Sequence, residues 1–286
     1  MKKVAVFGDS ILDVYSFYEY LKESPEADVP TIKLTSSTKS MGGAGLLAQK
    51  LHSLGNKVDF YTSFNDKDKV VDLLNLKINI FNFNYISNSL TIKNRMIYKD
   101  KYIYRIDDDD LIDHTNKSMS DVIQKFKSNI NQYDAVVFSD YNKGFLNSSI
   151  GSKILDLCEN KVLTFLDPKP ENKLETLGWD FIKPNIKEGI EITKENQPET
   201  VLKKLHEISG SNILMTSGPE GCYYYDGDKI YSEKTLGRNP IDVSGCGDIA
   251  MASFIHNILD KRPIEQTLRI CMSEASLHID KFGNPL

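Results

Sequence analysis

The feature that most constrains the fold of this chain is the alternation of short apolar runs with longer amphipathic stretches. Runs rich in β-branched or aromatic residues predict buried strands at 3–8, 57–64, 134–140, 161–168 and 212–218. Helical patterns lie between and after them, at 43–54, 116–130, 147–159, 197–209, 247–260 and 263–279. This order predicts an α/β fold with a central, mainly parallel sheet and helices on both faces. Ligands bind beyond the carboxyl ends of such strands, where the sequence places Asp9, Asp140, Asp167 and Ser217.

Two segments interrupt the alternation. Residues 10–40 and 84–106 alternate apolar and polar side chains without an intervening helix. They predict antiparallel strands that leave the main sheet and form a lid or a dimer contact. The acidic run at 107–110 predicts a solvated turn.

Composition narrows the class of protein. A chain of 286 residues, 40% hydrophobic, can bury a large core, and one α/β domain with an appendage fits this length as well as two domains would. The net charge of −5 argues against a nucleic-acid partner. No apolar run reaches the roughly 18 residues that span a bilayer, and the short run Val4–Phe7 predicts a strand rather than a signal peptide. Neither the four cysteines nor the five histidines show a metal-ligand spacing. We expect a cytoplasmic protein without a membrane partner.

The segment DVSGCGD, residues 242–248, has the pattern of an anion site. Gly245 and Gly247 allow close backbone approach, and the helix that follows offers unpaired N–H groups and a partial positive charge. Such a loop suits a transferred phosphoryl group, and Asp248 at the helix start could accept a proton from an incoming hydroxyl. The alternative is a plain turn with Asp248 as the helix cap.

Three other segments resemble ligand loops and have plainer alternatives. TSGPEG places Gly218 and Gly221 in a turn suited to a nucleotide phosphate, or in an ordinary hairpin loop. KPNIKEG places Asn185 three residues before Glu188, which is also the spacing of a capping box. MGGAG, residues 41–45, is a third glycine-rich entry to a helix and is weak alone.

The order of these motifs resembles the ribokinase-like (PfkB) carbohydrate kinases, and among them the heptose 7-phosphate kinases of lipopolysaccharide and capsule precursor synthesis. The matching motifs span nearly the whole chain: GDSILDVY, SPEADVP, TIKNRMIYKDKYIYRID, SDYNKG, DPKPEN, KPNIKE, TSGPEG and DVSGCGD. SPEADVP and SDYNKG point to the heptose kinases, whereas DVSGCGD marks the larger family.

The resemblance implies a three-layer ribokinase-like domain over residues 1–286, with 10–40 and 84–106 as a β-strand lid that also pairs in a homodimer. It implies ATP and a sugar phosphate as substrates, and Mg²⁺ as cofactor. Asp248 would be the catalytic base. The backbone N–H groups of the preceding loop would form the anion hole, namely those of Gly245, Cys246 and Gly247.

Further roles follow from the same resemblance. Asn185 and Glu188 would organise Mg²⁺ and the ATP phosphates, in part indirectly, and the nucleotide site would be lined by Thr216, Gly218 and Gly221. Sugar-binding candidates are Asp13, Gly42, Gly43, Asp140 and Lys143.

The lid carries cations that could bind the phosphate of a phosphorylated sugar. Because alternate strand residues share a face, Lys93, Arg95, Lys99 and Arg105 could lie together. The alternative is a solvated strand face.

Two departures from the family pattern bear on the substrate. Cys246 replaces an alanine of the anion loop, and Leu46 stands where relatives place a sugar-binding asparagine. Other acceptors, such as fructose, a fructose phosphate or a nucleoside, therefore remain open, as does a non-catalytic sugar- or nucleotide-binding protein. Retention of Asp248, Asn185 and Glu188 favours an enzyme, since a binding protein has no use for a base. The heptose kinases are often fused to a nucleotidyltransferase with an HxGH motif, which this sequence lacks, so we expect only the kinase step.

Overall fold

The computed structural model describes residues 1–64, 78–83, 90–109, 116–158, 161–172, 177–237, 240–280 and 282–283. The strands of these residues are β1 (Lys3–Gly8), β2 (Ser10–Glu23), β3 (Pro30–Gly43), β4 (Lys57–Thr62), β5 (Asn79–Asn82), β6 (Thr91–Tyr98), β7 (Lys101–Asp108), β8 (Ala135–Ser139), β9 (Leu163–Asp167), β10 (Phe181–Ile182), β11 (Asn212–Thr216), β12 (Cys222–Tyr225) and β13 (Ile230–Glu233). The helices are α1 (Ala44–Ser53), α2 (Asn116–Asn129), α3 (Ser148–Cys158), α4 (Ile186–Thr193), α5 (Pro198–Ser209), α6 (Cys246–Leu259) and α7 (Ile264–His278).

The main sheet has the strand order β13-β12-β11-β10-β9-β8-β1-β4-β5. Its strands from β11 to β5 pair in parallel, and β12 and β13 add an antiparallel edge. This arrangement confirms the predicted mainly parallel sheet.

Helices cover both faces of the main sheet. Successive side chains of a strand point to opposite faces, so an apolar strand needs a core on each side. In β1, Val4 and Val6 join a core built with α1, α6 and α7, whereas Ala5 and Phe7 join a core built with α2, α3 and α5. The continuous apolar run of this strand therefore fills two cores, as expected for a buried parallel strand. The result is the predicted three-layer sandwich.

A second, small sheet has the order β3-β2-β6-β7. The prediction that residues 10–40 form strands outside the main sheet is confirmed, as is the same prediction for 91–106, whereas 84–89 lie outside the described residues. One pairing differs from the prediction, because β2 and β6 run parallel. The two strands are separated in the chain by β3, α1, β4 and β5, and a crossover of this kind permits parallel pairing.

The prediction of a solvated turn at 107–110 is wrong for its first half. Asp107 and Asp108 belong to β7, and Asp107 stands opposite Lys93 of β6. A pair of opposite charges across two strands stabilises the strand there. Asp110 lies outside the described residues.

The five predicted strands and six predicted helices each correspond to an observed element, with ends that differ by a few residues. The strands that sequence reading did not find are short: β10 has 2 residues, and β5, β12 and β13 have 4 each. A period of two cannot be recognised over so few positions. Within the described part of the chain, no helix is long and apolar enough to cross a bilayer.

Candidate active site

The candidate site lies where the central strands of the main sheet end. Asp9 follows β1, Asp140 follows β8, and Asp167 is the last residue of β9; all three are buried. The backbone N–H of Asp140 donates to the carbonyl oxygen of Asp167 at 3.1 Å. The Asp140 carboxylate accepts the N–H groups of Asn142 at 2.8 Å and of Lys169 at 3.3 Å. These bonds join it to the loop after β8 and to the loop after β9. A direct contact between Asp140 and a sugar stays a prediction.

Asp9 shapes the loop after β8. Its carboxylate accepts three backbone N–H groups, from Tyr141 at 3.0 Å, Lys143 at 3.2 Å and Phe145 at 3.0 Å. Burial raises the pKa of Asp9, while these bonds lower it by favouring the carboxylate. The loop is therefore held against β1, and its second residue, Tyr141, is fixed at the edge of the site.

Asp248 lies in the first turn of α6 and is 2% exposed. The hydroxyl of Tyr141 donates to both of its carboxylate oxygens, at 2.9 Å to Oδ1 and 2.7 Å to Oδ2. Burial, followed by the charge of Asp167, raises the pKa of Asp248 to about 7, against the lowering effects of the Tyr141 bond and of Lys183. The cap of α6 is Gly245, which has no side chain, so the alternative that Asp248 is the helix cap is wrong.

The loop before α6 has the backbone that its glycines predict. Gly245 has a φ of 79°, a left-handed conformation that glycine adopts without strain. The N–H of Cys246 donates to the carbonyl oxygen of Val243 at 3.3 Å. A Cβ atom at Gly247 would lie 3.5 Å from the Nζ atom of Lys183, a buried ammonium group. A cation therefore accompanies the helix N-terminus, and both favour an anion at this position.

Two ion pairs border this loop. Lys183 Nζ is 2.8 Å from Asp167 Oδ2, and both side chains are largely buried. Lys169 Nζ pairs with Glu188 Oε1. Because burial disfavours an unpaired ammonium, these carboxylates raise the pKa of Lys183 and of Lys169.

Asn185 and Glu188 form the capping box that was the plainer alternative for them. Asn185 Oδ1 accepts the N–H of Glu188 at 3.0 Å, and Glu188 Oε2 accepts the N–H of Asn185 at 2.8 Å. Among the residues described, no group of three or more His, Cys, Asp or Glu side chains is placed to hold a metal ion. The pair therefore caps α4. A role of these residues in binding Mg²⁺ stays a prediction.

The predicted nucleotide loop is a hairpin between β11 and β12, with Thr216 opposite Cys222. A Cβ atom at Gly221 would lie 2.0 Å from the carbonyl oxygen of Glu233, so chain packing alone requires glycine there. Gly218 has a φ of 52° and no atom within 4 Å of a Cβ position. The hairpin alternative is observed, and the role of this loop in binding ATP stays a prediction.

The two predicted nucleotide segments nevertheless lie side by side. The N–H of Thr216 donates to the carbonyl oxygen of Pro184 at 3.1 Å, next to Asn185. A ligand that contacts one segment can therefore reach the other.

The predicted sugar side is built where β2 meets β3. A Cβ atom at Gly42 would lie 2.1 Å from Asp13 Oδ2, so only glycine leaves room for this carboxylate. Gly43 has a φ of 58° and lies close to the carbonyl oxygen of Asp9. Arg95 of β6 pairs with Asp13, and both side chains are buried. Arg95 thus fixes the position of the Asp13 carboxylate through an ion pair.

The cations of the small sheet lie on one face, as predicted. Asp13 stands beside Lys93 in the register of β2 and β6, and Arg95 stands opposite Arg105 in β7. Lys93 Nζ is 5.5 Å from the ring centroid of Tyr141, and burial lowers its pKa. Arg105 is paired with Asp107, two residues further along β7, and 52% of its side chain is accessible.

Lys99 does not join this face. It lies in the turn between β6 and β7 with a φ of 48°, and its Nζ atom is 5.1 Å from the ring centroid of Tyr98. The two residues of the turn interrupt the strand alternation on which its placement depended. Lys143 also has a partner, because its Nζ atom is 2.8 Å from Asp109 Oδ2. This ion pair joins the end of β7 to the loop after β8.

Two tyrosines of the small sheet reach the loop before α6. The hydroxyl of Tyr15 donates to Asp242 Oδ2 at 2.9 Å. Burial and the nearby carboxylate of Asp242 raise the pKa of Tyr102. Asp242 Oδ1 accepts the N–H of Ser244 at 2.9 Å. The small sheet therefore contacts the loop before α6 directly.

Sequence reading assigned no role to several residues that the structure places in the site. Tyr141, Lys169 and Lys183 lie inside motifs quoted above: SDYNKG, DPKPEN and KPNIKE. Tyr141 follows the sugar-binding candidate Asp140, and Lys183 stands two residues before Asn185. Lys169 stands two residues after the strand end at Asp167. A charged or aromatic residue inside a ligand motif was thus the available signal. The contact of Tyr15 with Asp242 had no such signal.

At the carboxyl edge of the parallel sheet, a buried carboxylate and an ammonium group lie beside a helix N-terminus and are faced by the small sheet. This arrangement suits a phosphotransferase with an alcohol as acceptor. The chain belongs to the pfkB family of carbohydrate kinases, because residues 1–284 match the family described as "pfkB family carbohydrate kinase". The sequence prediction of a sugar kinase is confirmed.

Individual relatives match nearly the whole chain. A protein named "Bifunctional protein HldE" from Sulfurimonas denitrificans is 28% identical over 294 residues, covering 99% of this chain and 61% of that protein. Its namesake from Desulfatibacillum aliphaticivorans is 31% identical over 296 residues, covering 98% of this chain and 60% of that protein. This chain thus spans about three fifths of the length of these relatives.

Solved structures show the same fold. Phosphofructokinase-2 from Escherichia coli, in complex with substrates and products, has a TM-score of 0.80 at 13% identity, covering 97% of this chain and 92% of that one. Ribokinase from Arabidopsis thaliana, complexed with ribose and ATP, has a TM-score of 0.72 at 17% identity, covering 99% and 93%. The predicted ribokinase-like fold is confirmed.

Proposed function

We propose that this chain transfers the γ-phosphoryl group of ATP to the anomeric hydroxyl of a heptose 7-phosphate, with Asp248 as the general base. The observation that carries the proposal is the carboxylate of Asp248, buried in the first turn of α6. Its pKa of about 7 is suited to proton transfer near neutral pH.

The chemistry follows from the groups around that carboxylate. The acceptor hydroxyl gives its proton to Asp248 as its oxygen bonds to phosphorus, and the bond from phosphorus to the β-phosphate oxygen breaks, releasing ADP. The anion loop and the ammonium group of Lys183 lie beside each other, where negative charge on the transferred group would be stabilised. The small sheet would cover the sugar and exclude water as a competing acceptor.

We propose Mg²⁺ as the ion that accompanies the triphosphate. Lys183 and Lys169 are each paired with a carboxylate, so these two cations bring no net charge for a polyphosphate. Mg²⁺ is bound by one or two protein oxygens, by waters and by substrate phosphates, which Asn185 and Glu188 fit without a closed protein site. Both Glu188 oxygens already accept bonds, so its contact with the ion would be through water. The ion would supply positive charge to the phosphates.

The heptose phosphate is proposed for three reasons. SPEADVP and SDYNKG resemble the heptose 7-phosphate kinases, relatives named HldE match nearly the whole chain, and cations line the inner face of the small sheet. Because Arg95 is buried against Asp13, we assign it to holding the sugar-binding carboxylate. Lys93 and Arg105 are then the cations that would contact the sugar phosphate, since Arg105 is half exposed and its partner Asp107 is itself partly exposed.

Another acceptor within the family is the alternative, and Leu46 favours it. This residue is fully buried in α1, where relatives place a sugar-binding asparagine. An apolar side chain there removes a hydrogen bond to a sugar hydroxyl, so fructose, a fructose phosphate or a nucleoside would compete.

A substrate panel separates the alternatives. We expect kcat/KM to be highest for D-glycero-D-manno-heptose 7-phosphate when it is compared with sedoheptulose 7-phosphate, fructose 6-phosphate, free fructose and a nucleoside. Arg105→Ala should remove most of the preference for a phosphorylated sugar, because each charge-assisted hydrogen bond contributes roughly 1.5–3 kcal/mol. Lys101→Ala, a cation change in the same strand, is the control. If free fructose or the nucleoside is preferred by about tenfold, the heptose assignment fails and the kinase assignment stands.

The base is tested separately. Asp248→Asn keeps the shape of the side chain but cannot accept the proton, so turnover should fall by ~10²–10⁴-fold while ATP still binds. Asp134→Asn, at the opposite end of the main sheet, is the matched control. Undiminished turnover in the Asp248 variant would remove the assignment.

We also propose that the outer face of the small sheet forms a homodimer contact. Tyr104 and Ile106 share a face of β7 and are 70% and 60% exposed, so they form an apolar patch on this face. Ile106→Glu should then yield a monomer in sedimentation equilibrium. A wild-type monomer would contradict the proposal.

A further inference from the structure

The hydroxyl of Tyr141 makes an unusual contact with the proposed base. It lies 2.9 Å from Oδ1 and 2.7 Å from Oδ2 of Asp248, so one donor is shared between both carboxylate oxygens. Rotation of the carboxylate about its Cβ–Cγ bond would lengthen at least one of these bonds. The contact therefore selects one orientation of the carboxylate plane.

Tyr141 is itself held from three directions. Its backbone N–H donates to Asp9 Oδ2 at 3.0 Å. Two ammonium groups lie near its ring, Lys93 Nζ at 5.5 Å and Lys169 Nζ at 5.8 Å from the centroid. Cations at these distances are attracted to the face of an aromatic ring. The position of the hydroxyl thus depends on β1, on the small sheet and on the loop after β9.

The charges around this contact determine what Tyr141 does. Asp248 is faced by Asp167 and Asp13, which disfavour its carboxylate, and by Lys183, which favours it. Burial and the neighbouring carboxylates raise the pKa of Tyr141 well above its ordinary value. The phenol therefore keeps its proton, and acts as a hydrogen-bond donor and not as a second base.

We propose that Tyr141 is a positioning residue for phosphoryl transfer: its hydroxyl fixes the Asp248 carboxylate in the plane in which it receives the proton of the sugar hydroxyl. This inference rests on the proposed role of Asp248 as base. A carboxylate has about four lone-pair positions, so the shared bond to Tyr141 leaves room for the acceptor hydroxyl. Neither group needs to leave when the sugar binds.

The test is the pH dependence of kcat/KM in Tyr141→Phe, which removes the hydroxyl and keeps the ring between Lys93 and Lys169. A hydrogen bond to the charged form lowers the pKa of a carboxyl group, so its loss should move the acidic limb of the profile to higher pH. At neutral pH we expect turnover to fall by about 10–100-fold, with the KM for ATP little changed.

Tyr133→Phe is the matched control. The hydroxyl of Tyr133 also donates to a buried aspartate, Asp59 Oδ2 at 2.6 Å, but at the amino end of the main sheet. This variant removes the same kind of bond and should leave the pH profile in place. A profile that is unmoved in Tyr141→Phe, or moved equally in both variants, overturns the inference.

A second variant keeps the test decisive if Tyr141→Phe fails to fold. Replacement of Tyr141 by 3-fluorotyrosine retains the ring and makes the phenol a stronger donor, so the acidic limb should move to lower pH. An unmoved limb would again overturn the inference. Failure of the proposed function is distinguishable, because it would leave Asp248→Asn active. An inactive Asp248→Asn with an unmoved limb in the Tyr141 variants rejects only the role of Tyr141.

Discussion

Replacing Asp248 with asparagine should stabilise the fold while it lowers turnover by ~10²–10⁴-fold. Burial and the charge of Asp167 raise the pKa of this carboxyl from 3.8 to about 7 in the folded protein. Between these two values the folded state binds a proton that the unfolded state has released, so the free energy of unfolding falls as the pH rises. Asparagine carries no charge, so the Asp248→Asn variant does not lose this part of the free energy of unfolding.

The size of the effect follows from the pKa difference. Each unit corresponds to about 1.36 kcal/mol, so the ionised carboxylate costs roughly 4 kcal/mol at pH 8, where the group is charged in both states. At pH 5 most folded molecules hold the proton, and the cost is roughly 2 kcal/mol. The stability gained by Asp248→Asn should therefore grow by about 2–3 kcal/mol between pH 5 and pH 8. The weakened bond to Tyr141 lowers the gain by about 1 kcal/mol at each pH and leaves this growth unchanged.

Urea unfolding at the two pH values measures this difference. Trp179 is the single tryptophan of the chain and is 4% exposed, so its fluorescence reports loss of the core. Asp134→Asn is a control of opposite sign. Although partial burial raises the pKa of Asp134, the N–H of Lys3 and the side chain of Lys2 lower it overall, so its carboxylate stabilises the fold above pH 4. The reasoning is refuted if Asp248→Asn is no more stable than wild type at pH 8, or if its gain is the same at both pH values.

Three further predictions concern activity. Wild-type kcat/KM should fall about tenfold per pH unit below about pH 7, the pKa of Asp248, and level off above it, as a buffer-matched initial-rate series would show. Gly42→Ala should raise the KM for the sugar about tenfold without changing that for ATP, because its Cβ atom would lie 2.1 Å from Asp13 Oδ2; equal effects on both KM values would argue for general misfolding. Glu188→Gln should raise the Mg²⁺ concentration for half-maximal rate, since it removes the charge paired with Lys169, whereas an unchanged titration would leave Glu188 as a helix cap.

Much of the fold could be predicted because it depends on local periodicity. The strands β1 and β8 bury both faces, so each has an unbroken apolar run, and the helices between the strands show one apolar face. The position of the site followed from the same pattern, since parallel strands bring Asp9, Asp140 and Asp167 to one edge. Only the local spacing of residues was needed for these conclusions.

The partners of the site residues could not be predicted, because they depend on contacts between distant parts of the chain. Lys183 lies beside Gly247, and Tyr141 donates to Asp248, across separations of 64 and 107 residues, and no local pattern records either pair. The cations of the small sheet were placed correctly where the strand is regular. Lys99 was misplaced because a turn interrupts the alternation.

The glycines mark the limit of what sequence reading can supply here. A glycine beside a helix or a turn signals that another atom approaches the backbone, and both Gly42 and Gly221 meet that expectation. The approaching atoms differ, however: Asp13 Oδ2 at the first and the carbonyl oxygen of Glu233 at the second. The first is consistent with the proposed binding role, since it places a carboxylate at the proposed sugar site, while the second is explained by packing alone. Equivalent motifs in the sequence thus carry unequal support for function, and only the identity of the neighbouring atom separates them.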